Sequence, residues 1–306
     1  MSAESGKRAI IAALGANLGI AVTKFGAYAV SGSTSMLAEG IHSVADSGNQ
    51  VLLLVGRHRA RQEASEEHPF GYGRLRYLYG FLVAVVLFVV GGLFSVYEGV
   101  HKVLHPEPLD HPIVPFVVLF VAIALESFSL RTAMSEARPA RGRDTWWQFI
   151  RRAKSPELPV VLMEDSAALI GLLLALVGVS LAVLSGDGRW DGLGSIAVGL
   201  LLIAVAVVLG VETQSMLVGE GARPDVVAAI RGALEAEPSV ARVIHLRTLH
   251  LAPDELLVAA KIAVRHDDTG AGIAHAIDAA ERRVRAVAPI ATLIYLEPDL
   301  DRGVTP

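Results

Sequence analysis

Ser35-Met36-Leu37-Ala38-Glu39-Gly40-Ile41-His42-Ser43-Val44-Ala45-Asp46 opens a run that continues to Val55, long enough to cross a bilayer yet carrying two carboxylates and an imidazole. A membrane-crossing helix needs about 20 apolar residues. Ionisable groups within one are costly, so they face a bundle interior and serve a function. Read as a span, this run makes the chain a helical bundle with a polar interior. His42 and Asp46 stand at i and i+4, on one helix face, where a ring nitrogen and a carboxylate oxygen reach a single ion. Glu39 lies three residues before His42, close to the same face, but nearer the end of the run, where water or headgroups also satisfy it.

The rest of the 306 residues agrees with a bundle: 53% are hydrophobic and only 19% charged, too apolar for an ordinary soluble domain. Six runs have the length of a span, near Ala9–Val30, Ser35–Val55, Tyr77–Val100, Ile113–Leu130, Pro159–Leu184 and Leu193–Val211. The first, behind Lys7 and Arg8, is too long for the apolar core of a cleavable leader and reads as a span. Basic residues gather after the second run (Arg57, Arg59, Arg61, Arg74, Arg76) and after the fourth (Arg131 to Lys154), whereas the opposite loops carry chiefly Lys102 and Arg189. Positive charge marks the cytoplasmic side. Both termini are therefore expected in the cytoplasm, the protein being integral to the cell's inner membrane. Trp146 and Trp147, beside Arg151 and Arg152, suit an interfacial anchor.

From about Gly221 the pattern becomes that of a soluble domain, with a helix near 224–235, strands near 240–251 and 256–264, a helix near 270–287 and a strand near 291–297. The expected architecture is thus a six-helix transmembrane domain over residues 1–220, followed over 221–306 by a cytoplasmic α+β domain of ferredoxin-like order. About 85 residues can build a core of their own, although a dimer partner can cover an exposed face.

A second polar constellation lies in the fifth run, where Glu164 and Asp165 stand adjacent. Neighbouring residues on a helix point about 100° apart, so one of the two is expected to face the second span, and Asp165 is taken as that one. His42, Asp46 and Asp165 then offer three N and O ligands, with Glu164, Asn17 or water as a fourth. The chain has no cysteine, which excludes thiolate sites and disulfides and leaves N and O donors. Such a set suits zinc and also admits Mn²⁺, Fe²⁺, Co²⁺ and Cd²⁺. A single buried carboxylate can instead pair with Lys24 or bond between helices; Glu98 and Glu126 are read as structural in this sense. A net charge of −4 gives no footing for nucleic acid, and no nucleotide loop, nucleophile motif or zinc-protease helix points to an enzyme or to a cofactor. An exporter of another cationic substrate, or a membrane sensor that recruits partners, remains as an alternative.

At these residues the sequence resembles the cation diffusion facilitator family, whose second span carries His or Asp, three residues, then Asp, after a small-residue lead like Ser33 to Ala38. His68-Pro69-Phe70-Gly71-Tyr72-Gly73-Arg74, Tyr97 to His101, Asp191 to Leu200 and Leu217 to Gly221 also look like family segments. The resemblance implies a homodimer in the bilayer that exports a divalent cation, zinc above all, in exchange for protons by alternating access. Departures narrow it. Val161 stands where many zinc transporters have His, and the Glu164-Asp165 pair with His42 and Asp46 is closer to the branch of the mitochondrial-type zinc transporters of animals. Tyr72 replaces a loop His, and Lys261 and Tyr295 replace tail histidines that would join His245. Metal sites in the loop and tail are therefore expected to be degraded or absent. His250, His266 and His275 read as solvated or packed, and His101, His105, Asp110 and His111 as ordinary loop residues.

Overall fold

The computed structural model describes residues 6–31, 34–106, 113–265 and 269–300. It divides into two compact units, residues 1–63 with 75–214 and residues 64–74 with 215–306.

The first unit is helical. Helix α1 (Lys7–Ser31) packs on α2 (Thr34–Arg59) and on α5 (Ile113–Arg141), and α5 packs on α7 (Glu157–Ser185). The third run is one continuous helix, α3 (Leu75–Val86) and α4 (Phe94–Leu104), joined through a π-helical stretch at Leu87–Leu93 that contains Gly91 and Gly92. A short helix α6 (Trp146–Arg152) precedes α7, and α8 (Arg189–Val218) completes the unit. Thr145 starts α6 through a capping box with Gln148, in which each side chain meets the other's backbone N–H. The free N–H groups at the start of α1 find an acceptor in Glu136 of α5, whose two oxygens take Gly6 N–H and Ala9 N–H at 2.6 Å each.

Five helices are long and apolar enough to cross a membrane: α1, the α3–α4 helix, α5, α7 and α8. With 26 residues α2 matches them in length. It falls short in hydropathy because Glu39, His42, Ser43, Asp46, Ser47, Asn49 and Gln50 all lie on it. The six runs of the sequence therefore appear as five apolar helices and one polar one. Buried side chains fill the half of the bundle nearest the basic loops: Ile10, Leu53, Tyr77, Leu158 and Val161 are 0–2% exposed. There Arg76 clasps Glu157 with Nε and Nη2 at 2.6 and 3.0 Å and also donates to Ser155. In the other half the backbones of the α3–α4 helix and α8 touch. A Cβ on Gly99 would lie 2.7 Å from the Gly192 carbonyl oxygen, and one on Gly199 2.7 Å from Val96 N. Only glycine permits that approach.

The second unit holds α9 (Pro224–Glu235), β1 (Val240–Ala252), β2 (Glu255–Val264), α10 (Gly270–Val287) and β3 (Leu293–Leu300). β1 and β2 form a hairpin closed between Ala252 and Glu255, and α10 carries the chain over to β3, parallel to β2, giving sheet order β1-β2-β3. Leu256, Val258, Ala260 and Ile262 alternate inward from β2 to meet Ile230 and Leu234 of α9 and Ala280 and Val284 of α10. The last strand starts two residues later than its sequence pattern predicts, since Pro289 to Thr292 form the turn before it.

Candidate functional site

The polar stripe of α2 meets α5 and α7 around a cavity of about 210 Å³ within the first unit. His42, Asp46, Glu164 and Asp165 all line it, as do Asn17, Glu39 and Glu126. His42 Nε2 is 3.6 Å from Asp46 Oδ2, so the i, i+4 pair forms as the spacing predicts. His42 Nδ1 is buried without a hydrogen-bond partner among the described residues, a nitrogen left over for an ion or a proton.

The adjacent carboxylates of α7 diverge, but in the sense opposite to the expectation. Glu164, not Asp165, faces α2: its oxygens accept from Asn49 Nδ2 and Gln50 Nε2, each at 3.0 Å. Asp165 turns to α5, where Ser129 Oγ donates to its Oδ2 at 2.6 Å. Asn17 is one layer back, donating to Gln50 Oε1 at 3.2 Å. Glu39 pairs with Lys24 at 3.5 Å, so the lysine weighed as a partner for the site engages the outlying carboxylate instead.

Sequence reasoning missed three groups. Glu126, read as structural, is 4% exposed, lines the cavity and has Asp165, Glu164 and Asp46 as charged neighbours. Its signal was present, since Ser129 follows it at i+3 on the same face of an otherwise apolar run. Asn49 and Gln50 likewise follow Asp46 at i+3 and i+4, and continue its stripe. Thirdly, Lys102 bridges Glu98 at 3.1 Å and Asp191 at 3.0 Å, joining α4 to α8 at the cavity's far end.

Seven carboxylates line the cavity, those of Glu39, Asp46, Glu98, Glu126, Glu164, Asp165 and Asp191, against Lys24 and Lys102. Carboxylates thus outnumber ammonium groups in one cavity, and ionisable groups gathered inside an apolar bundle make it a candidate site for cations. Among the described residues, no three His, Asp or Glu side chains stand close enough together to hold one ion. The α2 pair and the α7 pair thus share a cavity without converging.

The secondary positions are filled by other chemistry. His68 lies against Tyr72, ring centroids 4.5 Å apart, and Tyr72 Oη meets Ser65 Oγ at 3.2 Å. His245 is opposite Lys261 in the β1–β2 register, and Lys261 binds Asp299 and Glu297, each at 3.1 Å. Hydrogen bonds to those two carboxylates raise the Lys261 pKa above its ordinary value, so a cation stands beside His245. His250 is packed at 5% exposure, and His275 bonds the Ala271 carbonyl at 2.7 Å on α10. His101 and His105 stack at 4.9 Å. Ser33, Asp110, His111 and His266 lie outside the described residues.

A family model described as the cation efflux transmembrane domain matches residues 10–218. The chain is 35% identical over 222 residues to the proton-coupled zinc antiporter SLC30A9, mitochondrial, of Xenopus laevis, covering 72% of this chain and 39% of that protein. It is 31% identical over 215 residues to metal tolerance protein C4 of Arabidopsis thaliana, with 70% and 47% covered. With the cation-efflux pump FieF of Cronobacter sakazakii it shares 26% identity over 252 residues, 82% and 78% covered. The chain thus spans about two fifths of the length of the first of these. The first and third of these are named as carriers of ions and the family model as a cation efflux domain, so the family is one of transporters and not of enzymes, and with the apolar helices it makes this an integral membrane protein.

Proposed function

The chain belongs to the cation efflux family, and we propose that it exports a divalent metal cation, zinc first among them, in exchange for protons through the cavity between α2, α5 and α7. One observation carries this reading: His42, Asp46, Glu164 and Asp165, from two helices far apart in sequence, line a single cavity. All four are oxygen or imidazole donors, a set that suits Zn²⁺ and also admits Mn²⁺, Fe²⁺, Co²⁺ and Cd²⁺. The name of the 35%-identical relative supports zinc and proton coupling. Coupling also follows from chemistry, because a carboxylate or imidazole must give up its proton to coordinate. His42 serves as both ligand and proton carrier on this reading, with Asp46 as its partner.

The cavity's lining supports alternating access. It runs from Glu164 and Asp165 to Met36, Lys102, Pro115 and Asp191, at helix ends opposite the basic loops, while the other half of the bundle is packed shut. This is the outward-facing arrangement of a six-span bundle in which α2 crosses as well, shielded by its neighbours. The inner membrane of the cell, with both termini cytoplasmic, is the placement we propose. Residues 221–306 act as a ferredoxin-like dimerisation or regulatory domain, and the sheet face bearing Tyr295, 57% exposed, is available to a second copy. Replacing Asp46 with Ala abolishes proton-coupled metal uptake into inverted vesicles on this account; full retained uptake by the variant would contradict the assignment.

A further inference from the structure

A second cavity of about 350 Å³ lies beside α6, sharing only Ala167 with the carboxylate-lined one, and Leu130, Met134, Trp146, Ile150, Met163 and Leu201 are among the side chains around it. We propose that it binds one anionic phospholipid of the leaflet on the basic-loop side, with an acyl chain in the cavity and the phosphate at the arginines of the α5–α7 connection. This rests on the protein's placement in a membrane and not on the transport reading.

The cavity is apolar and open to the side, since Trp147 and Ile170 on its rim are 51% and 49% exposed. Within a bilayer an open apolar groove takes up hydrocarbon, and paired tryptophans suit the level of the glycerol backbone. The rim supplies the charge. Residues 131–154 contain seven basic side chains against Glu136 and Asp144, and Glu136 is engaged by the start of α1. Arg141 stacks over the Trp146 ring at 4.5 Å, which ties the basic rim to the apolar wall. Arg143 is exposed and has no ion-pair partner among the described residues. Arg151 and Arg152 pair with Glu212 at 3.1 Å and Asp144 at 3.5 Å while remaining 58% and 55% exposed. The guanidinium ends of both pairs therefore stay open to water and within reach of a headgroup, and a phosphate offers a guanidinium two oxygens at once. Charge also selects against the alternative occupant. A second copy seated here would bring an identical basic rim against this one, whereas an anionic headgroup neutralises it.

The chain's three tryptophans provide the probe. Trp190, in the first turn of α8, is remote from the groove and can be replaced by Phe, leaving Trp146 and Trp147 as the fluorophores. The Trp190→Phe protein is reconstituted in phosphatidylcholine vesicles containing an equal small fraction of brominated phosphatidylglycerol or brominated phosphatidylcholine. Severalfold stronger quenching by the anionic lipid is expected. The preference should fall as salt is raised, and it should vanish in Arg143→Ala/Arg151→Ala/Arg152→Ala but persist in Lys7→Ala/Arg8→Ala. Equal quenching by the two lipids would reduce the groove to ordinary bilayer contact and overturn the proposal. No quenching by either would mean that protein, such as a second copy, covers it, which overturns the proposal equally. Should the triple variant not fold, the lipid preference and its salt dependence in the Trp190→Phe protein still decide the matter.

Discussion

Glu164 is the residue that ties the two helices of the proposed ion site together, because both of its oxygens are held by amides of α2. Such supporting partners typically contribute about 10- to 100-fold in metal affinity. Replacing Gln50 with Leu is expected to weaken zinc binding by about that factor, measured by calorimetry on detergent-solubilised protein, with helix content by circular dichroism unchanged. Ser129→Ala removes the 2.6 Å bond to Asp165. This is a supporting bond of the same kind, so its loss should raise the concentration for half-maximal transport roughly tenfold or more; an unchanged value would place Asp165 outside the ion's path. The identity of these carboxylates was legible in the sequence, since apolar runs do not carry Glu and Asp without reason. Their directions were not. Helical periodicity fixes the 100° between Glu164 and Asp165, but nothing within that helix says where its neighbours stand. The amides Asn49 and Gln50 settle the direction, and they are legible as part of the site only once the α2 stripe is followed past Asp46.

At the scale of elements, α2 shows how hydropathy sorts a polar helix. It is about as long as the others, but its chemistry removes it from the apolar class, and on the proposed six-span reading its polar stripe is the better signal for the helix. Boundaries in the second unit were readable because β2 alternates and α10 repeats its buried apolar residues at i and i+4, at Ala276, Ala280 and Val284. The π-helical stretch at Leu87–Leu93 was not, since a widened turn leaves the run equally apolar. The contact between α4 and α8 depends on glycine at Gly99, Gly192 and Gly199, where an added Cβ would meet backbone atoms at 2.7 to 2.9 Å. Gly99→Val should therefore destabilise the protein by about 1–3 kcal/mol, seen as a lowered melting temperature in detergent. Gly15→Ala, a site with open space around its Cβ, should not.

For the whole molecule, the cavity's lining reaches the helix ends away from the basic loops, and the packed half carries the Arg76 clasp on Glu157. Inward opening on this account must break that clasp. Arg76→Ala is expected to shift the protein toward the closed-outside form, read as increased protection of a reporter cysteine placed at Val118 on the cavity wall. The most direct test of the central claim is metal-driven proton flux in proteoliposomes, recorded with Zn²⁺, Mn²⁺, Fe²⁺, Co²⁺ and Cd²⁺ for the native protein and Asp165→Ala. A flux that selects among these ions and is lost in the variant is the predicted result. Absence of flux with every metal, in protein shown to be folded, would contradict exchange and favour a sensor or a carrier of another cation.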